Sequence, residues 1–424
     1  PSVQSPTNER RDFPGTPVRT EDAHDPRRTL LLDLFQAGLA RVHGRHCVRA
    51  ALGAAEPASP VWVAAIGKAA TAMALGACDA LGAAIERALI ITRDPEDLSA
   101  FAPRAAPEVW LGSHPVPDER SLAAGARLLA WVDELPPSVS PLFLISGGAS
   151  SLVEVPAPGA TLDELAELTR LSFTSGMAIG ELNARRAALS RIKGGRLAAR
   201  LAGRPARALF VSDVPDDDPR VIGSGLMGPA PAGPDCIERT VVASIDHAVA
   251  AVAARAVQLG LAVHAPPGRF AAGAVRLAAR FAHELHLGDA QLCVWGGEST
   301  VELPPQPGRG GRNQHLALAA ARLIAGHSEL LLLAAGTDGS DGVTGDAGAL
   351  VDGESCARIA LAQLDADDCL ARADSARALA ASGDLVHTGP TGTNVGDLVI
   401  GLKLTAEDAG VLARPHDDRR QRVL

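Results

Sequence analysis

An apolar run, Leu331-Leu332-Leu333-Ala334-Ala335, leads directly into Gly336-Thr337-Asp338-Gly339-Ser340-Asp341-Gly342. Glycines at 336, 339 and 342 permit positive φ and let backbone N–H groups approach a ligand, which makes Gly336 and Thr337 candidates for phosphate contact. Asp338 and Asp341 offer the hard oxygen ligands that Mg2+ prefers. A single Asp-Gly pair is ordinary turn chemistry. Two of them in succession behind a strand of buried type point to a nucleotide-phosphate or metal-phosphate site, with the plain turn as the competing reading.

Other residues suit the same chemistry. Lys68 follows Gly67 where the expected strand 61–66 gives way to a helix. A cation there costs ~0.3–1 kcal/mol against the helix dipole unless an anion compensates it. Lys68 therefore reads as an anion clamp, against the alternative of a long stem carrying its charge to water. Arg312, at the end of Gly308-Arg309-Gly310-Gly311-Arg312, is read in the same way, and Arg309 as a solvated loop charge. Ser146-Gly147-Gly148-Ala149-Ser150-Ser151 offers backbone amides and hydroxyls as a phosphate cradle would. Arg186, Lys193 and Arg200 recur at a spacing of seven on an expected helix 181–202, along a polyphosphate or along solvent. Asp213 ends the expected strand 207–212 and could hold a metal. Thr393 and Asn394, in Gly389-Pro390-Thr391-Gly392-Thr393-Asn394, could bind phosphate or substrate hydroxyls, or simply make a tight turn. His114 and His387 are loop histidines, structural or basic.

Positioning these groups requires strands that end together. The patterning predicts strands at 61–66, 87–92, 141–145, 207–212, 261–265, 291–295, 329–335 and 397–403. It predicts helices at 68–82, 119–134, 161–175, 181–202, 240–259, 273–286, 312–326, 354–365 and 369–382. Thr161 and Glu164 form a capping box, and Gly260 stands where a helix would end. Such alternation implies an α/β protein with mostly parallel, helix-covered sheets. Leu142–Ser151 and Gln291–Thr300 echo one another as strand, two glycines, then hydroxyls, which suits two α/β domains with an interdomain cleft. We expect a disordered leader over 1–27, an N-terminal domain over 28–287 and a C-terminal domain over 288–424, although an early segment could pack back into the second domain.

Composition narrows the function classes. A net charge of −9 argues against nucleic-acid or anionic-membrane partners, which reward basic surfaces. The chain has 3% aromatic residues and no Tyr, so its cores must be aliphatic. Its 6 cysteines show no zinc-like spacing and read as small buried hydrophobes in a reducing compartment, without disulfides. No apolar run reaches the ~18–20 residues of a membrane helix, and the first residues lack an apolar signal, so the cytoplasm is the expected location. Gly223-Ser224-Gly225-Leu226-Met227-Gly228 fits GxGxxG, but the prolines that follow it deny the helix a dinucleotide fingerprint needs.

Taken in order, Gly67-Lys68-Ala69-Ala70, Ile145–Leu152, Leu189–Ala198, Val211-Ser212-Asp213-Val214-Pro215, Gly308–Gln314, Gly336–Gly342 and Gly389–Asn394 resemble the class II glycerate kinases, which carry a carboxy-terminal MOFRL domain. The resemblance covers about residues 28–405. It implies an active site between two α/β domains, Mg-ATP as phosphoryl donor, and D-glycerate as acceptor, usually at its 2-hydroxyl. Lys68 and Arg312 would serve the substrate carboxylate and transferring phosphoryl group, and Asp338 or Asp213 the metal, Mg2+. Some relatives carry the label hydroxypyruvate reductase, so an NAD(P)H-dependent reductase is one alternative and a non-catalytic binding paralogue another. The pattern is departed from at Ala187-Ala188, Leu226-Met227, His315 and Gly396, which bears on the identity of the hydroxy acid. The partner expected is a small hydroxy acid, with a homodimer allowed as the assembly.

Overall fold

The computed structural model describes residues 25–53, 59–95, 97–101, 106–174 and 179–408. Residues 1–24 of the expected leader, and 409–424, lie outside the described residues. Composition predicts leader as far as residue 27, but a helix already begins before that point. Pro26–Val42 is capped by the Asp25 carboxylate, which accepts from the Arg27 N–H.

Two sheets organise the chain. The first holds β1 (Val61–Ile66), β2 (Ile85–Thr92), β3 (Glu108–Leu111), β4 (Ser140–Ile145), β5 (Ala206–Val211) and β6 (Ile237–Ala243) in the order β3-β2-β1-β4-β5-β6, all parallel. The second holds β7 (Val263–His264), β8 (Phe270–Gly273), β9 (Leu292–Thr300), β10 (Leu330–Gly336), β11 (Gly348–Asp352), β12 (Leu385–Val386) and β13 (Asp397–Lys403). Its order is β12-β11-β10-β13-β9-β7 with β8 also on β9. This second sheet is mixed: β9, β10, β11, β12 and β13 pair antiparallel, and only β7 and β8 join β9 in parallel. Both β7 and β8 precede residue 288 in the chain and pair in the second sheet nonetheless.

The period of two explains how one strand serves two cores. Val61, Val63 and Ala65 enter a central cluster, whereas Trp62, Ala64 and Ile66 enter the cluster on the other face of the first sheet. Leu331, Leu333 and Ala335 likewise face the central cluster, and Leu330, Leu332 and Ala334 the outer face of the second sheet. The central cluster joins the two sheets through the helices Pro26–Val42, Ala70–Leu81 and Ile245–Gln258. Arg28 pins the first of these helices to the second sheet: its buried guanidinium donates to Leu350 O at 2.8 Å and Asp384 Oδ1 at 2.7 Å.

Several elements differ from expectation, among them β3, β8, β11 and β12, which the patterning does not predict, and the expected helix 369–382, which is divided into Ala366–Ala371 and Ser375–Ala381. The stretch from 240 to 243 is strand, because β-branched Thr240, Val241 and Val242 extend the pairing with β5, and the helix waits until Ile245. The expected helix 181–202 is broken after Ala188, where Ser190 bridges Pro156. Gly194 and Gly195 then take φ of 61° and 77°, which glycine adopts without strain. Arg186, Lys193 and Arg200 therefore share no helical face. Finally, Gly296-Gly297 is not a turn: β9 runs through it, since a side chain at Gly297 would overlap the Phe270 backbone of β8. The capping box forms as expected, with Thr161 N donating to Glu164 Oε2 at 2.8 Å and Glu164 N to Thr161 Oγ1 at 3.2 Å. Of the cysteines, Cys236 departs from the expected burial and is exposed. No helix among the described residues is long and apolar enough to cross a membrane.

Candidate functional site

The strand ends β1, β4 and β5 of the first sheet face β9, β10 and β13 of the second across a cleft of about 750 Å3. Register does the placing. Ile66 pairs with Ile145, so the turns after β1 and β4, carrying Lys68 and Ser146–Ser151, lie side by side. Gly336 pairs with Asp397, and Asp397 with Gly297, so the end of β10, the start of β13 and Glu298 form one row on the opposite wall.

Lys68 crosses this gap. Its Nζ lies 2.7 Å from Asp338 Oδ2, while its N–H donates to Gly147 O at 2.9 Å. The Asp338 carboxyl is held below its usual range: burial opposes ionisation, and the Lys68 ammonium and the Ser340 N–H and hydroxyl outweigh it. Ser146 does not reach the cleft; its buried hydroxyl accepts from Ala69 N at 3.1 Å and fixes the turn that aims Lys68. Gly148, Ser150 and Ser151 line the cleft, and Ser150 Oγ meets Ser224 Oγ at 2.7 Å. A side chain at Gly147 would overlap Asn394 and Asp213. Only glycine admits the contact in which Asn394 Nδ2 donates to Asp213 Oδ2 at 3.2 Å.

Asp213 is partly buried and makes no ion pair among the described residues. Burial, reinforced by the nearby Glu298 carboxylate, raises its carboxyl to about 6. Glu298 is itself raised by burial, and also by Asp397, against the pull of Arg312. Arg312 forks onto Asp397, Nε to Oδ2 at 2.7 Å and Nη2 to Oδ1 at 2.9 Å. Such a bidentate pair fixes the plane of the guanidinium. Its Nη1 reaches Glu298 Oε1 at 2.8 Å. Burial works against this guanidinium's charge, and the carboxylates of Asp397 and Glu298 more than offset it. Asp341 makes no ion pair among the described residues either. Its carboxylate accepts from Asn313 N at 3.1 Å and Gln314 N at 2.8 Å. Those bonds satisfy first-turn donors of the helix Arg312–Leu323, which carries Arg312.

Lys68, Arg93 and Arg186 bring cations to the same cleft lining, with His114 beside them. Burial, then Lys68 and Arg93, push the His114 imidazole down to about 3, so it is neutral near pH 7. Mg2+ is usually held by one or two carboxylates plus substrate phosphates, and a metal-ready carboxylate with no cation partner fits that manner of binding. Asp213 is such a group, and Asp338 stands with it in the lining.

Several expectations land elsewhere. Lys193 is buried, with its ammonium on the equally buried Glu154, so it faces neither polyphosphate nor solvent. Thr337 is buried and structural: its hydroxyl donates to Gly396 O at 2.7 Å and accepts from Val395 N at 2.9 Å. Thr393 donates to Val42 O at 2.7 Å and lines a smaller adjoining cavity of about 360 Å3 shared with Lys68 and Asp338. His387 pairs with Asp346 at 2.7 Å, outside the cleft lining. Of the departures from the family pattern, Leu226 and Met227 are buried core, whereas His315 and Gly396 line the cleft. Residue patterns assign no role to Arg93, Asn183, Ser224, Glu298 and Asp397, all of which line it. Ser224 and Asn183 are joined at 2.8 Å, and Gly223-Ser224 belongs to the glycine motif that lacks the context of a dinucleotide fingerprint.

Residues 30–258 match a family described as a domain of unknown function, DUF4147, and residues 291–397 match the MOFRL family. The D-glycerate 2-kinase of Thermotoga maritima is 34% identical over 385 residues, which cover 81% of this chain and 90% of that protein. A protein of Agrobacterium vitis that carries the name putative hydroxypyruvate reductase is 36% identical, over 79% of this chain and 85% of its own. The crystal structure of glycerate kinase from Thermotoga maritima aligns with a TM-score of 0.78 at 31% identity, covering 89% of this chain and 99% of that one. With its cleft between a parallel and a mixed sheet and with both domains matched in order, the chain belongs to the glycerate kinase family that carries a MOFRL domain.

Proposed function

We propose that this protein is a kinase that transfers the terminal phosphate of Mg-ATP to D-glycerate, at the 2-hydroxyl, or to a close small hydroxy acid. The observation that carries this reading is the opposition, across one cleft, of Lys68, Arg93 and Arg186 on the side of the first sheet to Glu298 and Asp338 on the side of the second, with the Asp213 carboxyl at the end of β5 in the same lining. Phosphoryl transfer asks for little covalent chemistry and much charge placement, which such an arrangement supplies.

Asp338 and Asp213 would hold Mg2+, which would supply positive charge against that of the phosphates. Lys68 exchanges its contact with Asp338 for the transferring phosphoryl group or the substrate carboxylate. Arg312 is held in one orientation by Asp397 and Glu298 and turns its remaining donor capacity to the same anion. Ser150, Ser151 and Gly148 border the nucleotide phosphates, and Asn394 orients Asp213. His114 stays neutral and can donate or accept one hydrogen bond to a substrate oxygen; at about 3 it is too weak a base to take the hydroxyl proton near pH 7.

The reductase name of one relative suggests a second reading. Gly223–Gly228 argues against it, because a dinucleotide motif lies between a strand and a helix. Here Gly223 sits in a short 3-10 turn, Ile222–Ser224, at φ 57°, and Gly225 caps that turn at φ 71°. A cytoplasmic location suits a chain whose 6 cysteines are all free thiols, and a homodimer is the assembly to examine by sedimentation. Two parallel assays on the purified chain separate the readings: release of ADP from Mg-ATP on adding D-glycerate, and oxidation of NADH or NADPH on adding hydroxypyruvate. The kinase reading expects the first and fails if only the second is seen.

A further inference from the structure

At the far end of the second sheet from the cleft, three side chains converge that play no part in the proposed transfer. His286 stands in the last turn of the helix Ala274–Leu287, and His327 and Glu329 lie in the connection leading into β10. Their ligand atoms, two imidazole nitrogens and a carboxylate oxygen, all fall within 4.8 Å of one another. Among the described residues this is the grouping of three or more His, Cys, Asp or Glu that could hold a metal ion. Strand β10 then runs from Leu330 to Gly336 before it reaches the cleft. At ~3.3 Å per residue, that strand sets the cluster roughly 20 Å from the cleft.

Two cations border the cluster, Arg27 on Ser328 O and Lys403 on His286 O, each turned to a backbone carbonyl and not to the imidazoles or the carboxylate. The two imidazoles meet edge to face with centroids 4.5 Å apart, and His327 Nδ1 stops 3.6 Å from Glu329 Oε1, beyond hydrogen-bond range. Among the described residues no hydrogen bond occupies an imidazole nitrogen of either histidine. The helix end supplies the negative pole of a helix dipole. Lys403 Nζ donates to His286 O at 2.9 Å and Gly288 O at 3.1 Å, which fixes the backbone that carries His286 while its own charge is turned to the carbonyls. Two imidazoles and a carboxylate are a ligand set of Zn2+, with water as the fourth ligand. Bonds of ~2.0–2.2 Å place tetrahedral ligands about 3.3 Å apart, so closing the site asks the exposed His286 and the half-buried His327 and Glu329 to approach by up to roughly 1.5 Å.

We propose that His286, His327 and Glu329 form a Zn2+-binding site that ties the end of the helix Ala274–Leu287 to the entry of β10. The proposal does not depend on the kinase reading. Because the ion binds the folded chain and bridges two elements, it raises the temperature of unfolding.

The test uses the full chain stripped with EDTA, titrated with Zn2+ by calorimetry and with Co2+ by visible absorption, alongside His286→Ala and His327→Ala. The expected result is one micromolar or tighter site per chain with a Zn2+-dependent rise in Tm. Each variant should weaken it by at least about tenfold and lose the Co2+ band, with phosphoryl transfer unchanged. Zn2+ held by the cleft carboxylates would persist in the variants, so the difference between wild type and variant reads this site alone. Equal affinity and equal Co2+ spectra in wild type and variants would overturn the proposal, as would wild-type protein that binds no Zn2+ at micromolar concentration.

Discussion

The Lys68 ammonium and the Asp338 carboxylate meet at 2.7 Å although one follows β1 of the first sheet and the other follows β10 of the second. The contact spans the cleft, so each residue's charge is held in place by the opposite wall. An incoming phosphate and its metal would divide this pair between them, the cation to the phosphate and the carboxylate to the metal.

Lys68→Ala is expected to lower kcat by ~10²–10³-fold, the range seen when one preorganised donor to a developing anion is lost. Lys68→Arg should not restore it, because a planar fork replaces a compact charge in a fixed gap. Steady-state kinetics with a thermal melt check this, and a variant with a near wild-type kcat would remove Lys68 from the reacting centre.

Gly147→Ala should disrupt the Asn394–Asp213 contact, since any side chain there overlaps both groups. If Asp213 serves the metal, the variant will need more Mg2+ for half-maximal rate while remaining folded. A titration of rate against Mg2+ reads this directly, and an unchanged Mg2+ requirement would count against Asp213.

Lys193 and Glu154 make a buried ion pair outside the cleft lining, so Lys193→Met should act on stability and leave the KM for ATP alone. Leaving a buried carboxylate without its partner costs about 3–5 kcal/mol. Removing both charges in Lys193→Met with Glu154→Leu should cost less than the single change, as denaturant titration of the set will report.

His114 has a depressed pKa, from 6.5 to about 3, so between those values the folded chain binds fewer protons than the unfolded chain. Stability from this group is fully present above the ordinary imidazole value and is lost as pH falls toward the folded one, with a slope of up to about 1.4 kcal/mol per pH unit. His114→Gln should flatten that part of the profile. Urea midpoints measured from pH 4 to pH 7 test the sign, and a wild-type midpoint that rises on acidification relative to the variant would contradict it.

Much of the fold is legible in residue patterns because buried strands such as Leu330–Gly336 and glycine turns such as Ser146–Gly148 are local signals. Lys68, Asp338 and Arg312 can be picked out since each stands at a strand-to-helix, strand-to-turn or loop-to-helix junction. Glu298 and Asp397 cannot, because their place follows from antiparallel register between β9, β10 and β13, which a pattern expecting parallel strands does not supply. Lys193 is misread for a related reason: its role depends on Glu154, 39 residues away, and on a break in the helix that removes it from the expected face.

The most direct test of the central claim is phosphorus NMR of Mg-ATP and D-glycerate incubated with the purified chain, with Lys68→Ala beside it. The account predicts a 2-phosphoglycerate resonance that grows as the terminal phosphate of ATP declines, and a rate reduced at least about a hundredfold in the variant. Folded protein that binds ATP yet leaves glycerate unphosphorylated would contradict it, and so would a variant that transfers phosphate at the wild-type rate.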